Sequence, residues 1–344
     1  MQQRFFRWLV FVVLLLGCGS SKDQHVDTPP PSASSASVAP PQPSAAESAT
    51  PVASASQAPP TPLNPPQVWK PLLYKIAGTK ASYLFGTIHI PDARIATFPA
   101  SLDQAIAASD EIVNEMPLDK ASNPMAMMSS FQMPNGKTLA TELPKPLYDR
   151  LKAAFVSKNL GMALPMMEHM KVWAVAAQVA LIDHLMDIVS GGKAIDINIH
   201  DKAKAAGKPT SGVETEAEQL QVFDGLTKDE QARMLEQTLD QRDQDLREGN
   251  DPVAKLMNLY VVGDEIPLLT ELNAGFDKTK PLDQKLLKRL ITDRNKIMTD
   301  RIAAKVKASP NKAYFFAIGA AHLLGDDGVV AQLKKKGLTI ERVQ

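Results

Sequence analysis

Two histidines stand in the same setting, far apart in the chain. His89 belongs to "YLFGTIHI", residues 83–90, and His322 to "YFFAIGAAHLLGDDG", residues 314–328; in each an aromatic and apolar run leads to a glycine, Gly86 or Gly319, and the histidine follows three positions on. Two neutral imidazoles and a carboxylate are a ligand set for Zn, Mn, Co or Fe, and an open coordination position would hold a water for attack on a carbonyl. Glu115, in "DEIVNEMP", is the carboxylate whose place in the pattern suits that set. No compact His-x-x-x-His signature occurs, so the fold would have to assemble the group, and packing stays open as the other reading of both histidines.

The elements that would position these residues are legible from periodicity. "ASYLFGTIHI" reads as a short buried strand, "PASLDQAIAAS" as an amphipathic helix with Pro99 near its first turn, and "DEIVNEM" as a second strand. Near the other end, "AYFFAIGAAHLL" reads as strand and loop, "DDGVVAQLKKKG" as a helix stopped by Gly337, and "LTIERV" as a last strand. The expected fold is α/β: a central mixed, mainly parallel sheet with two β-loop-α-β units carrying Gly-x-x-His, plus a large helical insertion. Each histidine then lies beyond the carboxyl end of a strand, where open sheets bind ligands, and each glycine eases a tight turn out of the strand.

Within the insertion, residues 165–189 are apolar nearly all round and predict one buried helix. A helix through Lys204, a short strand at "KPTSGVE" and another helix follow, then further helices over 227–249, 251–262, 264–274 and 282–308. Met166, Met167 and Met170 around His169 read as core packing rather than a soft-metal box. His184 and His200 read as helix or loop residues without a partner. The Met-rich stretch 123–134 is either a lid over an apolar groove or a buried helix.

The first residues carry Arg4 and Arg7, an apolar run from Trp8 to Leu16, and then Gly17-Cys18. That is the pattern of a secretory signal over residues 1–17, too short for a comfortable membrane span, and "LLGC" resembles a bacterial lipobox with Cys18 as the acylated residue. Gly19 after the cysteine fits sorting to the outer membrane of a bacterial cell envelope. Residues 18–66 then form a lipidated cysteine and a tether: from Ser20 to Pro66 the chain holds twelve of the 26 prolines and no aromatic residue. Cys18 is the only cysteine, which excludes intrachain disulfides and thiolate metal sites. Residues 67–344 are the globular part. Losing Arg4 and Arg7 leaves 36 basic against 38 acidic residues, a balance that argues against nucleic acid as a partner.

Residues 68–344 resemble the TraB/GumN family, which includes the TIKI-type metalloproteases and is distantly related to erythromycin esterases and the haem-binding lipoprotein ChaN. The resemblance rests on five ordered motifs: "YLFGTIHIPD", "SDEIVNEMPLD", "AKAAGKPTSGVETEAEQLQVFDGL", "LITDRNKIMTDRI" and "FFAIGAAHLLGDDGVVAQLKKKGLTIERV". It implies that His89 and His322 are the two Gly-x-x-His histidines, that Glu115 is the acidic residue after the first helix, and that Glu214, Arg294 and Asn295 occupy recurring positions. In the enzyme reading, His89 and His322 hold a divalent metal (Mn, Co or Zn) with Glu115 or Glu214 as third ligand. The remaining glutamate is general base, and Arg294 stabilises an oxyanion. Glu214 also has a plain structural reading, as an early acid opening a helix. The expected function is a membrane-anchored hydrolase of peptides or small esters; the alternative is a lipoprotein that binds a peptide or haem at the same sheet edge without turnover.

Overall fold

The computed structural model of the chain describes residues 69–119, 129–134, 136–190 and 192–343. The signal, Cys18, the tether and residues 123–128 of the Met-rich stretch lie outside them. Strands β1 (Leu73–Ile76) and β2 (Ser82–Thr87) are followed by helix α1 (Ala100–Ala108) and strand β3 (Glu111–Asn114). The helical insertion then runs through α2 (Lys145–Val156), α3 (Val172–Leu181) and α4 (Ile195–Ala205), meets the short strand β4 (Thr210–Gly212), and continues through α5 (Glu216–Asp224), α6 (Lys228–Glu248), α7 (Pro252–Val262), α8 (Glu265–Asn273), α9 (Pro281–Leu287) and α10 (Asp293–Ala308). Strand β5 (Tyr314–Gly319), the single turn α11 (Ala320–Leu323), helix α12 (Val329–Lys335) and strand β6 (Ile340–Arg342) complete the fold.

The six strands form one sheet in the order β4-β3-β5-β2-β1-β6. β4, β3, β5 and β2 are parallel neighbours, whereas β1 is antiparallel to both β2 and β6. The sheet is therefore mixed and mainly parallel, as the sequence predicts. β3 and β5 are buried along their whole length and β2 nearly so, which is why they read as continuous apolar runs rather than alternating ones. β5 sits between β2 and β3, with Thr87 opposite Gly319 and Asn114 opposite Ala317. The carboxyl ends of β2, β5 and β3 thus lie side by side.

Several expectations need correction. β1 was not foreseen, and β6 does not return beside β5 but pairs with β1 at the far edge, so the two units are not copies. The residues after β5 form the turn α11 rather than a loop. The stretch 165–189 is not one helix: it divides into Leu164–Met167, α3, a 3₁₀ turn at Ile182–His184, and Leu185–Ser190. The break is made by residues 131–133, whose backbone bonds to His169 and Lys171 (Met133 N–H to His169 O, 2.7 Å; Lys171 N–H to Phe131 O, 2.7 Å) and takes groups a continuous helix would need. Met167 and Met170 are buried, but Met166 is exposed and so is His169. Residues 282–308 contain a π turn at Lys288–Thr292 between α9 and α10. His184 and His200 have partners: His184 Nε2 lies 3.3 Å from Asp251, and His200 lies 3.6 Å from Asp119 and 3.5 Å from the Asn114 amide.

Local signals explain the helices that were read correctly. Thr215 with Glu218 and Thr227 with Glu230 are reciprocal capping boxes at the starts of α5 and α6. Asp251 caps α7 with Pro252 in its first turn, and Gly249 and Gly263, both with positive φ, end α6 and α7. Inside the insertion, Trp173 of α3 stacks on Phe223 at 4.9 Å and donates its indole N–H to Asp224.

The role of Gly86 also differs from expectation. It lies within β2 and its φ is not positive; a Cβ there would stand 3.0 Å from Leu323, 3.1 Å from the Ala320 Cα and 3.1 Å from Leu72. The glycine lets α11, which carries His322, pack directly on β2.

Candidate functional site

Four parallel strands deliver the site residues at their carboxyl ends. His89 follows β2 by two residues, Glu115 follows β3 directly, Glu214 follows β4 by two, and His322 lies in the turn after β5. The β3–β4 ladder continues past both strands through Val213 N–H to Asn114 O and Glu214 N–H to Glu115 O, which holds the two glutamates side by side. Arg294 and Asn295 reach the same edge from the first turn of α10. His89, Glu115, Arg294, Asn295 and His322 line one cavity of about 410 Å³; Glu214 does not line it and stands behind Arg294, with only 2 % of its side chain exposed.

Arg294 binds both glutamates. Its Nε and Nη2 donate to Glu214 at 3.0 and 2.7 Å, and Nη2 also donates to Glu115 Oε1. Gln219 donates to the same two carboxylates, at 3.0 Å to Glu115 and 3.3 Å to Glu214. The Gly319 N–H donates to Glu115 Oε2 at 2.8 Å. Burial pushes the Glu115 carboxyl up, but Arg294, the two imidazoles and the Gly319 amide more than offset this and hold it well below the usual carboxylate range. Glu214 goes the other way, raised by burial and by the Glu115 charge despite Arg294. Two carboxylates against one guanidinium leave the cluster one negative charge in excess, before Asp196 is counted.

The imidazoles are set by different devices. Asn295 Nδ2 donates to the Asp327 carbonyl at 2.9 Å, which fixes the amide orientation and leaves Oδ1 facing His322 Nδ1 at 2.7 Å. An amide oxygen only accepts, so His322 carries its proton on Nδ1 and keeps a lone pair on Nε2. Burial, followed by Arg294, pushes the His322 pKa down to about 3, so the ring is neutral. His89 Nδ1 lies 3.4 Å from Asp196 Oδ2, an ion-pair contact without hydrogen-bond geometry. Burial lowers its basicity, but the Asp196 carboxylate overrides this and raises the pKa above the ordinary value.

Asp196 and Gln219 are the site residues that sequence reasoning missed. Asp196 is the second residue of α4 and reads as a helix-opening acid, while Gln219 sits among the charges of "ETEAEQ". The run "AIDINIH", with an acid between two isoleucines, was the available signal for Asp196.

As placed, no three His, Cys, Asp or Glu side chains among the described residues form a group that could hold a metal ion. The donor chemistry nevertheless fits one. His322 offers an unprotonated Nε2, His89 lines the same cavity, and Glu115 Oε2 accepts one N–H and so retains a lone pair. A Cβ on Gly319 would stand 3.2 Å from Glu115 Oε2 and 3.4 Å from His322 Cδ2, so carboxylate and imidazole edge meet over that glycine. The excess negative charge favours a cation there.

The sequence model of the TraB/PrgY/gumN family matches residues 72–342. The chain belongs to that family. Curated relatives include metalloprotease TIKI2 of Danio rerio, 27% identical over 307 residues that cover 76% of this chain and 58% of the relative. Metalloprotease TIKI1 of Homo sapiens is 28% identical over 311 residues, 78% of this chain and 61% of the relative, and the TIKI homolog of Nematostella vectensis is 25% identical over 326 residues, 81% and 68%. The chain thus spans about three-fifths of the length of the first two. No solved structure matches it. Among the described residues no helix is long and apolar enough to cross a membrane.

Proposed function

We propose that this member of the TraB/PrgY/gumN family is a divalent-metal-dependent hydrolase of peptides or small esters, held at a bacterial outer membrane by an acylated Cys18. The observation that carries the reading is the Asn295–His322 hydrogen bond. It aligns a neutral imidazole with its lone pair free, in one cavity with His89 and Glu115. Relatives named metalloproteases support the same reaction class.

In this reading His89, His322 and Glu115 hold the ion, which when bound would supply Lewis acidity toward a carbonyl and a water. Asn295 sets the His322 tautomer, and Asp196 orients His89. Arg294 holds Glu115 against the Gly319 amide and keeps positive charge at the cavity wall, where charge develops on a carbonyl oxygen. Glu214 anchors Arg294 from behind.

The test is metal analysis of the full chain together with a peptide-library digest, comparing wild type with His89→Ala and His322→Ala. Each variant is expected to stay folded, lose bound Zn, Mn or Co, and lose cleavage. Cleavage that survives both substitutions would refute the assignment, and a Soret band on mixing with haem, with no cleavage by the wild type, would move the reading to a binding lipoprotein. Lipid still attached in Cys18→Ser, read by mass spectrometry, would refute the anchor.

A further inference from the structure

We propose that the cavity beside His89 and His322 receives a bulky apolar side chain of the substrate, of leucine to phenylalanine size, flanking the bond to be cut. The cutting rests on the hydrolase reading above; the subsite rests on the cavity itself.

His89, Glu115, Arg294 and His322 line the cavity together, and three separate segments add apolar wall to it: Leu269 and Leu272 of α8, Phe276 after it, Leu290 and Ile291 of the π turn, and Leu324 after α11. An apolar group that displaces water from that wall gains free energy. At about 410 Å³ the cavity has room for a large side chain together with the atoms of the bond it flanks. Lys278 and Asp326 add charged side chains to the lining from two of those segments.

One stretch of backbone carries both kinds of lining residue. Leu287, Leu290, Ile291, Arg294 and Asn295 line the cavity at the spacing of one helix face, and Thr292 of the π turn joins them. The apolar wall and the residues holding Glu115 and His322 therefore share that face. A group seated against Leu290 and Ile291 is thereby held beside the imidazoles, and such a group must be close in bonding to the reacting carbonyl.

The experiment uses the full chain and two readouts. In the first, methyl NMR follows titration with N-acetylphenylalaninamide or N-acetylglycinamide without added metal; the first is expected to shift the Leu269 and Ile291 methyls and the second to leave them in place. In the second, kcat/KM is measured with Zn, Mn or Co over peptides that differ only at the residue before or after the scissile bond. Leu and Phe are expected to exceed Gly and Asp by about 10-fold or more. Ile291→Trp, which fills the apolar wall, is expected to lower kcat/KM for the Leu and Phe peptides more than for the Gly peptide and so to abolish that preference; Leu269→Trp serves if the first variant does not fold. Cleavage with no preference, or methyls that respond equally to both amides, overturns the subsite and leaves the hydrolase standing. Selective binding of the phenylalanine amide with no cleavage of any peptide sustains the subsite and overturns the hydrolase.

Discussion

Replacing Asn295 with alanine separates two consequences of one buried amide. Asn295 is 1 % exposed and makes two bonds, donating to the Asp327 carbonyl at 2.9 Å and accepting from His322 Nδ1 at 2.7 Å. Truncation leaves His322 Nδ1 unpaired in a buried setting, at about 1–3 kcal/mol, while the exposed Asp327 carbonyl keeps the Gln332 amide at 2.7 Å, so unfolding in urea should become easier by about 1–3 kcal/mol. The second consequence is chemical. Nothing then requires the imidazole proton to stay on Nδ1, and loss of an outer partner of this kind lowers divalent-ion affinity by about 10–100-fold. Asn295→Asp divides the two effects, since it keeps an acceptor for His322 Nδ1 but removes the donor to Asp327. Long-range proton–nitrogen correlation on labelled histidine reads the tautomer, and zinc titration calorimetry reads the affinity. Wild type and Asn295→Asp should carry the proton on Nδ1, and Asn295→Ala should show an Nε2–H population with weakened zinc binding. The reasoning is refuted if wild-type His322 carries its proton on Nε2, or if Asn295→Ala keeps both the Nδ1–H tautomer and the wild-type zinc affinity.

Three further outcomes are expected. Arg294→Met strands two carboxylates that now share one guanidinium and should cost about 3–5 kcal/mol of stability, with Glu214→Gln in the same chain restoring a large part; equal losses in single and double variants would show that charge pairing is not the cause. Gly86→Ala forces a Cβ against the Ala320 Cα and should cost about 1–3 kcal/mol by thermal melting, a neutral result meaning that α11 can lift off β2 without penalty. Asp283 is fully buried, accepts the Asp277 N–H at 2.8 Å, and is pushed by burial up to about 6. Its native state holds a proton that the unfolded chain has already released between about pH 4 and pH 6, so this contribution to stability is present at low pH and falls as pH rises through about 6. Asp283→Asn should flatten the pH dependence of the urea unfolding free energy over that window by about 1–2 kcal/mol, and an unchanged slope would remove Asp283 as its source.

The strands that carry the site were legible because burial on both faces writes a continuous apolar run, as in "YFFAIG". β1 was not, since four residues behind Pro71 and Leu72 offer too short a pattern to separate from a loop. Helix ends were visible wherever a cap signals them, as at Thr215, Thr227 and Asp251. The break in 165–189 was invisible because its cause, the 131–133 backbone, lies more than thirty residues away in sequence. The π turn has no propensity signature, so 282–308 read as one regular helix. At the site, repetition of Gly-x-x-His pointed to both imidazoles, but not to Asp196, whose contact with His89 exists only once α4 packs on the sheet against β3 and β4. The glycines were noticed for conformational freedom, whereas their use is close packing.

The strand order has a consequence for how the chain becomes competent. β2 and β3 are not neighbours; β5, which begins at Tyr314 long after β3 ends at Asn114, is the strand that bridges them. A nascent chain that has reached Ala308 already contains His89, Glu115, Glu214, Arg294 and Asn295, yet the slot between its two early strands is empty and their edges are unpaired. Closing it is a long-range event, slow by loop-closure entropy and exposed to strand addition from other chains in the interval. Biogenesis therefore completes the site late and all at once, with the arrival of residues 314–322, and the cavity has no His322 for nearly the whole of the chain's synthesis.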